Sequence, residues 1–360
     1  MDEIRELFPI TEWVEERRLF THIHKIVLGL LDLDLEKALL KDPSGIDRPD
    51  ADGRTPISWA AARGDSQSVE LLLRYGASPD SPDRIGQGPL RQSLKADNAA
   101  CLRLLLLYGV RVDQRDDWSQ TCLLAAHYYP DPVSFTLPLL EAGAHVNARC
   151  SQGRFPLMEA VSKNNVAAVK LLLDHGANVN FFNNAGATAL HEGVRYNSHE
   201  ALTYFLEEDI DHTLRDTNHR TVLHYAAEYA DVKTLTILSK AGLCGLNPDD
   251  EDRNKRNPVE IAEARQVDEK ERGLNTVDSH WIVAFYNLLE NLRAFQTPKS
   301  VPSYSESLPS EDIFLDAAPN LDLKEFERLA DMAEGGKVPR YPDSVGETHF
   351  AGLKTGTVGA

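Results

Sequence analysis

Residues 171–180 read Leu-Leu-Leu-Asp-His-Gly-Ala-Asn-Val-Asn, and variants of this stretch return along the chain at a fixed interval. The glycines fall at 76, 109, 143, 176 and 242, and Asp209 fills the slot between the last two, so the spacings are 33, 34, 33, 33 and 33. A second landmark keeps the same interval. It reads Gly53-Arg54-Thr55-Pro56-Ile57, then Gly86-Gln87-Gly88-Pro89-Leu90, then Ser119-Gln120-Thr121-Cys122-Leu123. It continues as Gly153-Arg154-Phe155-Pro156-Leu157, Gly186-Ala187-Thr188-Ala189-Leu190-His191 and His219-Arg220-Thr221-Val222-Leu223-His224. A unit this short cannot bury an apolar face alone. A constant period in this range therefore dictates stacking of like units, each touching only its neighbours.

Within a unit the residue types assign themselves. Thr-Pro suits a helix start: Pro is at no cost in the first turn, and the Thr hydroxyl can cap free amides. Alanines follow, as in Ala60-Ala61-Ala62 and Ala226-Ala227, and let neighbouring helices approach closely. The leucine run forms the apolar face of a second helix, and the glycine after it supplies a left-handed stop. Asp209 tolerates that backbone less well, which predicts a looser helix end in the fifth repeat. The third repeat departs most. It carries an extra residue near Tyr128–Pro132, and Pro138 is predicted to interrupt its second helix. The second repeat has Gly88 where Thr is usual.

The two landmarks together resemble the ankyrin repeat, whose pattern is Gly-x-Thr-Pro-Leu-His, two helices, then Gly-Ala and a turn. The resemblance covers about residues 21–265. The helical caps, the Ala60–Asp65 stretch and the acidic surface are also similar in style to fungal ankyrin proteins. The resemblance implies an all-α solenoid of stacked helix-turn-helix units with short turn hairpins. Residues 1–20 read as a charged helical segment with an apolar stripe that includes Trp13, and 21–49 as a degenerate capping repeat. Residues 50–248 hold six repeats. Residues 249–295 read as a degenerate repeat and a capping helix, separated by a polar break at about 266–275. Residues 296–360 have the Pro-, Ser- and acid-rich composition of a disordered tail, with one island of helical spacing from Leu321 to Met332.

A formal net charge of −18 argues against phosphate binding and against anionic membrane surfaces, and favours basic partners and solubility. No apolar run reaches the roughly 18 residues of a membrane helix. Cys101, Cys122, Cys150 and Cys244 form no Cys-x-x-Cys pair, and Cys101 sits in a leucine run, so neither a disulfide framework nor a zinc site is expected. The first twenty residues are charged throughout. These features give the expectation of a monomer in the cytoplasm or nucleus, with the cytoplasm preferred.

No motif for catalysis or for a cofactor is present: no phosphate loop, no Gly-x-Gly-x-x-Gly, no Gly-x-Ser-x-Gly, no Cys/His nucleophile pattern. No metal, cofactor or catalytic residue is therefore expected. His24, His191 and His224 share one slot of the repeat. The resemblance implies that this histidine hydrogen-bonds backbone groups between adjacent repeats. His22 and His24 could hold a metal in a strand, but at a helix start they point to different faces.

The resemblance also implies a concave groove lined by the turn tips and by the ends of the first helices. Counting along each repeat puts Arg54, Arg63, Arg84 and Lys95 there in the first two repeats, against Asp52 in the first and Asp117 in the third. The candidate partner-binding residues are Trp118, Tyr128, Tyr129, Arg154, Lys163, Arg195, Tyr196, Arg220 and Tyr229, with Glu228 beside them. Trp, Tyr and Arg dominate interface hot spots. The expectation is a groove less acidic than the rest of the chain, centred on repeats three to six, that takes an acidic or mixed peptide or a protein surface. The function expected is a scaffold, adaptor or inhibitor. The alternative is a substrate-recognition subunit of a ubiquitin ligase or other enzyme complex.

Overall fold

Each repeat starts its first helix where the period marks it. In a computed structural model that describes residues 18–96, 99–208, 210–273 and 279–296, the helices come in pairs. They run α1 His22–Val27, α2 Leu35–Lys41, α3 Pro56–Arg63, α4 Ser66–Arg74, α5 Pro89–Gln92 and α6 Ala100–Leu107. Then follow α7 Cys122–Ala126, α8 Pro132–Glu141, α9 Pro156–Ser162, α10 Val166–Asp174, α11 Ala189–Arg195 and α12 His199–Phe205. The last pairs are α13 Val222–Tyr229 with α14 Val232–Lys240, and α15 Pro258–Glu271 with α16 Ser279–Gln296. The apolar stripe at 1–17, Asp209 and the tail from 297 onward lie outside the described residues.

First helices pack on first helices of the neighbouring units, and second on second, giving two parallel rows. Between them runs a ladder of fully buried side chains at one repeat slot: Leu72, Leu105, Leu139, Leu172, Phe205 and Leu238. Burying each contributes about 1.5–3 kcal/mol, and the ladder belongs to one continuous core. The stop glycines Gly76, Gly109, Gly143, Gly176 and Gly242 have φ between 63° and 89°, and nothing crowds the space a Cβ would fill. Glycine is required there by the backbone alone.

A second ladder is made of small residues: Ala60, Ser93, Ala126, Ala160, Gly193 and Ala226. At Gly193 a Cβ would lie 2.7 Å from Leu202 Cδ2 and 2.9 Å from Val161 Cγ1. Gly193→Ala is therefore expected to destabilise the array by about 1–3 kcal/mol, although Ala is the better helix former. Urea unfolding measures this, and a stabilised variant would show that α9 and α12 can give way.

Two local expectations are corrected. Pro138 does not interrupt the third repeat's second helix: α8 runs through it, held by the buried Phe135 and Leu139. The polar break starts later than 266, because α15 continues to Glu271. The helix-start threonines do both: Thr21 and Thr121 accept from the amides of His24 and Leu124, and the other hydroxyls meet side chains. Thr188 and Thr221 place their hydroxyls 2.9 Å from Nδ1 of His191 and His224, and Thr55 bonds Ser58. Second helices take amide caps as well, from Asp65, Asn165 and Asp231.

At 14 residues α15 is longer than every other described first helix, and it reaches past the level where α13 ends. Arg265 and Trp281 both donate to the Ala230 carbonyl, at 3.0 and 2.7 Å, and fasten this last unit to the sixth repeat. An open cleft of about 560 Å³ lies between the overhang and Arg220, Glu228 and Tyr229.

Candidate partner-binding surface

The turns between repeats are strung together by backbone bonds at one tip position. Asp52, Ile85, Trp118, Gln152, Ala185 and Asn218 each give their carbonyl to an amide one repeat later. Inside each turn an acidic or amide side chain holds two amides of its own loop. Asp50, Asp83, Asp116, Asn183, Asp216 and Asp252 play this part. Cys150 replaces it in the fourth repeat. This row sits five residues before the Thr slot throughout, so the sequence carried its signal.

The row one turn into the first helix faces these acids. Trp59 Nε1 donates to Asp50, Gln92 Nε2 to Asp83 and the Tyr225 hydroxyl to Asp216, at 2.9, 2.9 and 3.1 Å. Ala125 has nothing to offer Asp116, whose Oδ2 stays without a partner among the described residues. In repeats four and five the turn holds Cys150 and Asn183, and the facing row holds Glu159 and Glu192. A carboxylate opposite Asp would be repelled, and opposite Cys or Asn it is tolerated. Sequence reasoning missed both glutamates.

They decide the fate of the predicted arginines. Arg154 binds Glu159 through Nε and Glu192 through Nη1 at 3.3 Å, and both glutamates are buried. Burial works against the charge on Arg154, but hydrogen bonding and attraction from the two carboxylates outweigh it and raise its pKa. Tyr128 donates to Glu159 at 3.0 Å; burial first, then that carboxylate, pushes its pKa up. Arg195 lies 3.9 Å from Glu192 and stacks over Tyr196 and Tyr229. Arg220 pairs with Glu228 at 2.6 Å and approaches Asp252 at 3.8 Å. Tyr129 accepts from Arg91.

Trp118, Tyr128 and Tyr196 are 51%, 46% and 53% exposed. Lys163 is exposed, while Tyr129 and Tyr229 are half-buried. The predicted set therefore divides into exposed rings plus one free lysine, and arginines already engaged from within.

The slot histidines serve the backbone. His24 Nε2 lies 2.9 Å from the Arg54 carbonyl of the next unit. For His191 and His224 the matching carbonyls of Arg220 and Arg256 raise the pKa without closing an aligned bond, and burial, the larger effect, lowers it. His191 ends at about 4. His127, buried beside Tyr128 with neither ring nitrogen bonded, is lowered by burial to about 4 as well. His22 is exposed and His24 buried, so the two face different surroundings. Among the described residues no three His, Cys, Asp or Glu side chains group as metal ligands, and all four thiols are unpaired. Burial pushes Cys122 up to about 12. No described helix is long and apolar enough to cross a membrane.

The family model for ankyrin repeats (3 copies) matches residues 25–116 and 122–216. Among solved structures, the ankyrin repeat domain of Bcl-3, a unique member of the IkappaB protein family, is similar over 61% of this chain and 98% of that one. The two share 27% sequence identity with a TM-score of 0.53.

Proposed function

The chain belongs to the ankyrin-repeat family, whose arrays are protein–protein interaction modules, and we propose that it acts without catalysis as a scaffold, adaptor or inhibitor that holds a protein or peptide in its groove. The observation that carries this reading is the exposure of Trp118 at a turn tip and of Tyr128 and Tyr196 at first-helix ends; Tyr108, Phe182 and Tyr286 are the other exposed rings among the described residues. Large rigid rings in the open have a high desolvation gain and a small ordering cost on binding, which is why they serve as anchors. Arg195, stacked on Tyr196 and Tyr229, stiffens that part of the surface. The Arg154, Glu159 and Glu192 network beneath fixes the floor on which the rings stand.

Capture of partners from lysate by the full chain is compared with the Trp118→Ala, Tyr196→Ala double variant. Both sites are exposed, so circular dichroism and melting should match the parent. Loss of two anchors at about 2 kcal/mol each is expected to abolish capture. Equal capture by both proteins would move the binding site away from the groove.

A further inference from the structure

The cations on the groove side fall into two populations. Arg154, Arg195 and Arg220 each have a carboxylate of this chain within 4 Å. Arg63, Arg84 and Lys95 are exposed and have no ion pair among the described residues. All three belong to the first two repeats. Arg63 ends α3, and Lys95 ends the short 3-10 turn that follows α5. The two ends are adjacent, since a Cβ on Gly64 would lie 3.1 Å from Ala96 Cβ. Arg84 stands on the turn tip, its amide bonded to the Asp52 carbonyl. Behind them lie Arg54, shared with Asp83 at 3.4 Å, and Arg91, which donates to the Tyr129 hydroxyl. Burial, then the charges of Arg54 and Arg91, lower the pKa of Lys95 against the opposing effect of Asp83.

We infer that repeats one and two form a cationic end of the groove, where Arg63, Arg84 and Lys95 receive the carboxylates of an acidic polypeptide segment whose apolar part continues onto Trp118, Tyr128 and Tyr196. This rests on the groove reading above and adds a polarity to it. Arg154 and Arg220 are paired from inside and Arg195 has Glu192 at 3.9 Å, so an incoming carboxylate gains less there. At the first two repeats it meets cations that have no carboxylate partner among the described residues, although Lys95 donates to Gln92, and complementary charge of this kind acts mainly on partner choice and on-rate. Nucleic acid fits less well, because three cations make a short phosphate track.

The test uses the full chain and a fluorescein-labelled oligoglutamate of about ten residues, read by anisotropy at low ionic strength, where screening is weakest. Saturable binding is expected, weakened about tenfold or more by Arg63→Glu with Lys95→Glu. A charge-matched pair on the second-helix row, Arg74→Glu with Arg103→Glu, should change affinity less than about twofold. Absent binding, equal loss in both pairs, or tighter binding of a uridine oligonucleotide would overturn the inference. Trp118→Ala with Tyr196→Ala should leave oligoglutamate affinity unchanged, so the aromatic anchors and the cationic end fail or stand separately.

Discussion

Arg154→Met is expected to lower unfolding free energy by about 3 kcal/mol or more, the scale of a buried ion pair broken on one side. The residue looks like a surface contact in the sequence, yet it is the countercharge for two glutamates that are 2% exposed. Without it Glu159 keeps the Tyr128 hydroxyl, and Glu192 keeps Arg195 at 3.9 Å, but two carboxylates then share a dry site. The companion variant adds Glu159→Gln and Glu192→Gln, which removes the uncompensated charge and should recover most of the loss. Urea unfolding followed by circular dichroism reads both. A single variant within about 1 kcal/mol of the parent would mean that water reaches the glutamates. Arg154 is for this reason a poor probe of binding, since its loss disturbs the floor beneath the aromatic rings.

Acid should destabilise the array well before its carboxylates titrate. His127 and His191 have an ordinary value of 6.5 in the unfolded chain and about 4 when folded, because burial disfavours the imidazolium. Their pKa values are depressed on folding, so the unfolded chain binds more protons between pH 6.5 and 4. Stability is complete above 6.5 and falls as the pH drops through that window. From pH 7.5 to 5 each ring contributes a loss of about 2 kcal/mol. His24 and His224 are lowered by burial too and add in the same direction. Urea midpoints at the two pH values measure the sum. His127→Leu should flatten the dependence at little cost at pH 7.5, since neither ring nitrogen has a partner to lose. An unchanged slope in that variant would show that His127 is reached by solvent.

The fold was legible because its instructions are local and repeated. A glycine at φ 63–89° every 33 or 34 residues, a Thr or Pro helix start, and an apolar face at one slot each work within a unit or between neighbours. Many copies of a weak signal then agree, and the stacking follows. Errors arose where packing overrode a local preference. Pro138 lies inside α8 because Phe135 and Leu139 hold the helix from both sides of it. The polar residues of α15 stay helical past 265, where Arg265 and Trp281 fasten on Ala230.

The candidate surface was legible only as a set of positions. By itself the sequence determined the repeat, the two helix rows, the turn tips, and which side chains stand near the groove: Trp118, Tyr128, Tyr196 and the arginines among them. Tertiary structure decided which of those groups are still available. Arg154 and Arg220 find carboxylates on the facing row or one repeat away, whereas Arg63, Arg84 and Lys95 find none among the described residues. The period fixes where a side chain stands, because backbone stacking is common to every unit. Whether its charge is already neutralised depends on the one residue opposite it, and that residue differs from repeat to repeat.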